Sequence, residues 1–496
     1  MRIKQTFMFI AWLSITASAV FASPPSAPSS ASTPIAYGLR WNATGDAYTL
    51  GTVVNGYFVP TPSLISFPVQ ERMKRCVIND AGVVQYYLCP TNSAQKADCA
   101  TASVLDGTDG QVMVEIPQFH YLQVQSGTFR YFLVGEKRFS FILPGGTVVN
   151  SAVHPVFYKG GSTTPSAYRY VGAYEANLWD ASATSYVGGV SITEDCVNDK
   201  LASVSGVLPI VNFTRPCGRT MAAARGSGWH QYDHAMHAAI HILYLTEYGT
   251  LRSQTAIGNG IVNYNTWPNA PQALAGNSNS IGNATGSVNL TVNKWAATTA
   301  YSLMNTDIIP NATQNGYTYR CTTAGTSAGS EPTWPTTIGN TVVDGTATWT
   351  CVRSLQYMSY RGVENWWGHV WKFVDGANIH NATATGSRLF LSTNHSQYAD
   401  NTETNYTLAG TLPSADGYPI DILNTLGIWP KTVGGSSSTY LADYFYTEFD
   451  TAPDGGWRVA LLGGIAVYGT SAGASFWYSN YSSSNADSNV GGRLCF

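Results

Sequence analysis

Hydrophobic and polar positions alternate with a period near two through much of the first half of the chain. The stretches "AYTLGTVV" (47–54), "GVVQYYL" (82–88), "QVMVEIPQFHYLQV" (111–124), "TFRYFLV" (128–134) and "RFSFIL" (138–143) are rich in β-branched and aromatic residues. Gly, Asn and Pro break them into short pieces, which predicts strands rather than helices. One segment has the helical period instead. In "GWHQYDHAMHAAIHILYLTEYGT" (228–250), Trp229, Tyr232, Met236, Ala239, Ile240 and Leu243 fall on one stripe, and Gly249 supplies a stop. On that wheel His230, His234, His237 and His241, spaced 4, 3 and 4, project from the opposite side. They are expected at the boundary or in solvent as a polar helix face.

From 294 to 353 the helical period is absent and turn residues recur every few positions, which predicts a small all-β module inserted in the chain. Beyond it, "SYRGVENWWGHVWKFVDGANI" (359–379) is a dense aromatic block. In "GGWRVALLGG" (455–464), Trp457, Val459 and Leu461 alternate as one face of a buried strand, and "VGGRLCF" (490–496) reads as a last short strand. Between them lie small, polar and aromatic residues without steady alternation, expected as a long ordered loop region held at both ends by core strands.

The 496 residues are 44% hydrophobic and 12% aromatic but only 11% charged, against about 25% in an average soluble domain. The surface must therefore be covered by Ser, Thr, Asn, Gly and Tyr. A net charge of −3 offers no basic stripe for nucleic acid. The opening "MRIKQTFMFIAWLSITASAVFAS" has Arg2 and Lys4, an apolar run and small residues, the pattern of a secretory signal peptide over 1–22 cut after Ala22. A Pro/Ser linker over 23–37 follows. No later run is long enough to span a membrane as a helix, so a secreted, cell-surface or periplasmic chain is expected. In such a compartment eight cysteines favour pairing. Cys321 with Cys351, flanking the β-module, and Cys196 with Cys217 are the expected disulfides. Cys76, Cys89, Cys99 and Cys495 are left with three possible pairings.

Reaction chemistry is harder to find. An i, i+4 histidine pair can hold zinc, but the glutamate of HExxH is missing and no third ligand is identifiable. Neither GxSxG nor a P-loop occurs. No catalytic residue, metal or cofactor is assigned, and the chain is expected not to be an enzyme.

Several stretches carry resemblances. "NWWGHVWKFVDG" resembles the "GNVWEWVDG" segment of the formylglycine-generating-enzyme type of C-type lectin fold. "GGWRVALLGGIAVYGTSAGASFWYSNYSSSNADSNVGGRLCF" resembles the variable C-terminal region of diversity-generating-retroelement target proteins and related phage tail adhesins. "QVMVEIPQFHY", "HPVF" and "GSGWHQYDHAMHAAIHILYLTEYGTLRSQTAIGNG" resemble their upstream part. Trp295, Tyr301, Asp307, Gly316, Tyr319, Pro332, Trp334 and Trp349 resemble the pattern of small chitin-binding-like modules in phage tail fibres.

The likeness implies an α+β, C-type-lectin-like fold with one long helix and many short strands, split into 38–293 and 354–496 around the inserted module. It implies a ligand-binding surface within 463–493. The framework would be Gly463, Gly464, Gly469, Ala472, Gly473, Trp477, Gly491 and Arg493. The contacts to a protein or carbohydrate on another surface would come from Val467, Tyr468, Ser471, Phe476, Tyr478, Asn480 and Tyr481. Tyr supplies large amphipathic area with few rotors, and Ser and Asn supply adaptable hydrogen bonds. Two other expectations are weaker. One is carbohydrate binding through the inserted module. The other is a formylglycine-generating-type enzyme, disfavoured because the paired C-terminal cysteines of that type are missing.

Overall fold

The alternating stretches of the first half become paired strands. The computed structural model describes residues 36–496 apart from 62–65, 191, 264–272, 290–292, 304–306, 314, 316, 353–355, 383–385 and 449–454. The signal peptide (1–22) and linker residues 23–35 lie outside the described residues, as does Gly316. Ala36 and Tyr37, grouped with the linker by composition, open the strand Ala36–Asn42. Tyr37 is buried and its hydroxyl donates to Gln70 Oε1 at 2.5 Å.

The α+β expectation with one long helix is overturned: strands take 40% of the chain and helices 11%. Three α-helices occur among the described residues: Arg215–Ala223 (α1), His234–Tyr248 (α2) and Ser253–Ile257 (α3). The segment expected to be one long helix is shorter because Asp233 caps it, its Oδ1 accepting from Met236 N at 2.7 Å. Upstream of the cap, His230–Gln231 is extended and pairs with Leu494–Cys495. Gly249 ends α2 in the left-handed region at φ 66°.

Two large sheets hold α2 between them. A six-stranded antiparallel sheet runs in the order Ala152–Val153, His120–Ser126, Phe129–Gly135, Ala36–Asn42, Ala47–Val54, Tyr57–Pro60. On the C-terminal side, Trp371–Ala382 is the spine of a seven-stranded sheet. It pairs with Gly386–Leu391 on one edge and Gly456–Leu462 on the other, and the latter continues to Trp477–Ser479 and Phe445–Thr447. Helix α2 packs on Ala36–Asn42 and Phe129–Gly135 and also on Trp371–Ala382, so every residue from His234 to Thr246 is buried.

That placement corrects the histidine expectation. His234, His237 and His241 are each 2% exposed or less because a helix between two sheets has no solvent face, and His230, on the strand ahead of it, is 4% exposed. Burial pushes His237 well below its ordinary value and His241 down to about 3. His234 and His237, both lowered by burial, remain as neutral hydrogen-bonding groups: His234 Nε2 donates to Ser392 O at 2.8 Å, and Trp366 Nε1 donates to His237 Nδ1 at 3.3 Å.

A third sheet, of seven strands, carries the closing strand Leu494–Cys495 between Tyr168–Gly172 and His230–Gln231, with Cys495 opposite both Val171 and His230. Arg493, fully buried, donates to the carbonyls of Gly172, Glu364 and Asn365 at 2.5–3.1 Å. Beside it Glu175 meets Lys372 at 2.7 Å and His369 at 2.5 Å. Burial opposes ionisation there, but the two partners hold Glu175 down to about 2.

Between 293 and 352 the chain makes its own five-stranded sheet over its own core of Trp295, Ile308, Tyr319, Cys321, Ala347, Trp349 and Cys351. The indole N–H groups of Trp295 and Trp349 both donate to Asp344 Oδ2, at 2.7 and 3.0 Å. The expected Cys321–Cys351 disulfide does not form. The register pairs Cys321 with Trp349 and Tyr319 with Cys351, so the cysteines are diagonal neighbours, about 7–8 Å apart in such a ladder and beyond the usual span of a disulfide. The disulfides are Cys196–Cys217, as expected, and Cys89–Cys99. They fit an oxidising compartment such as the periplasm or the extracellular space. Among the described residues no helix is long and apolar enough to cross a membrane.

Candidate functional site

The edge of the C-terminal sheet is built from an alternation that turns apolar residues inward and tyrosines outward. In Tyr444-Phe445-Tyr446, Phe445 is 1% exposed while both tyrosines are half-buried. Phe445–Thr447 lies parallel to Trp477–Ser479, with Tyr446 opposite Tyr478 and buried Phe445 opposite buried Trp477. Trp477 is stacked on Trp429 at 3.9 Å and donates from Nε1 to Ile428 O at 2.8 Å. The outward residues thus stand on a strand anchored from behind by two indoles.

Loops complete the surface. Gly464 takes φ 75°, a turn that favours glycine, and returns the chain from the strand Gly456–Leu462. Farther on, a Cβ on Gly473 would sit 2.1 Å from Asp443 Oδ1. Only a bare backbone lets the loop close over that buried carboxyl, which accepts from Ser475 N at 2.7 Å. Tyr418 and Ser471 join their hydroxyls at 3.0 Å, and Tyr444 N donates to Ser471 O at 2.9 Å. Tyr481 donates to Asp487 Oδ2 at 2.8 Å.

The result is a continuous row of half-buried tyrosines. Ring centroids run Tyr418–Tyr444 4.9 Å, Tyr444–Tyr446 4.5 Å, Tyr446–Tyr478 5.6 Å and Tyr478–Tyr481 5.3 Å, with Tyr468 stacked 5.6 Å from Tyr446. Trp371, 1% exposed, is the floor, 4.7 Å from Tyr478 and 5.5 Å from Tyr468. Burial, reinforced by neighbouring acids and phenols, pushes Tyr446 and Tyr478 up to about 12. Tyr446 and Tyr478 are therefore neutral phenols at physiological pH, able to donate as well as accept. Glu448 at its rim pairs with Arg458 at 2.5 Å, and Asp416 accepts from Thr447 N at 2.6 Å.

Of the seven contact residues expected from the sequence, Val467, Tyr468, Ser471, Tyr478, Asn480 and Tyr481 are half-buried. Phe476 is the exception. It is fully buried, packed at 5.3 Å on Tyr468 and 5.8 Å on Tyr446, and supports the row from beneath. The expected framework glycines Gly463, Gly464, Gly473 and Gly491, with Ala472, Trp477 and Arg493, are all buried, and Gly469 is half-buried. Sequence reasoning missed Tyr418, Tyr444 and Tyr446, which come from a segment outside 463–493. The signal was present in the period-two "YFY" of 444–446.

Two arrangements resemble reactive sites, and neither is open to a substrate. Ser475 Oγ lies 3.3 Å from His241 Nε2, but both residues are fully buried and His241 Nδ1 has no carboxylate partner. Among the described residues the one cluster with metal-ligand spacing is Glu194, Cys196 and Cys217, whose two sulfurs are already bonded to each other.

Comparison with family models and with curated proteins returns no match.

Proposed function

We propose that this chain is an exported ligand-binding protein of the adhesin or receptor-binding type, which contacts a protein or carbohydrate on another surface through its tyrosine row. The observation that carries this reading is the row itself: six half-buried tyrosines packed ring against ring, three of them over a buried Trp371. Such residues supply broad amphipathic contact at low cost in rotamer freedom, and their mutual packing fixes them before binding. A second support is the division of the closing stretch. Seven of its eight framework positions are buried, and six of its seven expected contact positions are half-buried. That division is what the resemblance to retroelement-diversified proteins implies, and diversification of these positions is part of the proposal.

Binding through the inserted module is the weaker alternative, because Trp295, Tyr319 and Trp349 are consumed by its core and Trp334 is half-buried. The test compares Tyr478→Ala/Tyr481→Ala with deletion of 294–352 in binding to a glycan array and to panels of whole cells. Loss in the double variant with retention in the deletion supports the tyrosine surface. Retention in the double variant with loss in the deletion overturns it in favour of the module.

A further inference from the structure

A separate cleft lies over the small sheet of Ser185–Val187, Asn177–Asp180 and Lys200–Ala202. Its register places Trp179 opposite Tyr186 on one side and opposite Lys200 on the other. Directly paired residues share a face, so Tyr186, Trp179 and Lys200 stand three abreast. They line a cleft of about 770 Å³. Trp179 and Tyr186 meet edge to face at 4.9 Å.

The two ends of the cleft differ in chemistry. At the Lys200 end, Asp80 receives Arg225 Nη1 at 2.6 Å and Lys200 Nζ at 3.8 Å, so two cations face one carboxylate. Arg225 is 6% exposed, and its Nη2 is left without a hydrogen-bond partner, although a buried guanidinium N–H ordinarily finds one. At the Tyr186 end, the Tyr186 hydroxyl lies 3.4 Å from Gly107 O, and Asp106 and Thr108 close the wall. The Thr108 amide holds the Asp106 carboxyl below its usual range, so that end offers a hydrogen-bond acceptor. A plate of indole with a cationic end and an acceptor end suits a flat-faced, hydroxylated ring that carries one anionic group.

We propose that this cleft binds an acidic sugar: a pyranose lying on Trp179, its carboxylate turned to Lys200 and Arg225 and its hydroxyls to the Asp106 end. The site shares no residue with the tyrosine row and does not depend on that row's function.

Isothermal titration of the full chain with methyl glucuronide and methyl galacturonide, against methyl glucoside and acetate, tests the proposal. At least one uronide is expected to bind about tenfold tighter than the neutral glycoside, the weight of one charge-assisted hydrogen bond, with acetate no better than the glycoside. Lys200→Met should reduce the uronide to the level of the neutral glycoside, and Trp179→Ala should remove binding of both. The Lys200 side chain is 35% exposed, so its variant keeps the test informative should Trp179→Ala fail to fold. Failure of both uronides to bind, equal affinity for charged and neutral glycosides, acetate binding as tightly as the uronide (a bare anion site), or undiminished binding by the folded Trp179→Ala protein would each overturn the proposal.

Discussion

Replacing His241 by Gln should change how the fold answers acid. His241 is held at about 3 by burial, against roughly 6.5 in an unfolded chain. The folded value is the lower one, so the unfolded chain takes up a proton that the fold refuses. The contribution is present above about pH 6.5 and is lost as pH falls toward the folded value. Each unit below 6.5 costs about 1.4 kcal/mol, so at about pH 5 the penalty is about 2 kcal/mol relative to about pH 7.5. His241 is 0% exposed, so solvent screening does not reduce the figure. His154, also buried and held at about 3, adds a similar penalty. Asp443 acts in the opposite sense: burial pushes its carboxyl well above the usual range, giving stability at low pH that fades as pH rises through the raised value. The wild-type slope therefore mixes signs, and the informative quantity is the difference between variant and wild type. Urea unfolding of both proteins at about pH 7.5 and about pH 5, followed by tryptophan fluorescence, should show His241→Gln gaining about 2 kcal/mol on wild type across that interval. A difference that does not move with pH would refute the reasoning.

Tyr478→Ala with Tyr481→Ala should weaken ligand binding by at least about 30-fold, the size of one interface hot spot, while the melting temperature moves by only a few degrees. Arg493→Met leaves three buried carbonyls without their donor and should cost about 3 kcal/mol or more in urea unfolding. Cys76, Cys321, Cys351 and Cys495 are all buried, so a thiol reagent should find four groups after denaturation and react with them only slowly before it.

The strands of the first half were legible because one face of each is apolar, and period-two alternation reports that directly. The helix over 234–248 was legible from its period and Gly249, but its environment was not. A helical wheel assumes one wet side, and nothing in "HAMHAAIHILYLTEY" says that a second sheet covers the histidines. Cys321 and Cys351 do lie on neighbouring strands, as their positions suggested. Only the register, two rungs from a match, keeps their sulfurs apart, and register is set by long-range pairing. Phe476 is a contact only by the resemblance, and the structure buries it. It turns inward because the loop ahead of Trp477 dips beneath Tyr468 and Tyr446. Tyr444 and Tyr446 show the converse: the alternation was visible, but their place beside Tyr478 depends on a parallel pairing across some thirty residues.

The pairing of Cys495 with both Val171 and His230 has a kinetic consequence. Sheets closed by contacts so distant along the chain form slowly, because loop closure must precede the contacts that reward it. The third sheet cannot be completed until positions 171, 230 and 495 have all met. The last short strand to arrive therefore sets when that sheet is finished, whatever the speed of the hairpins within it.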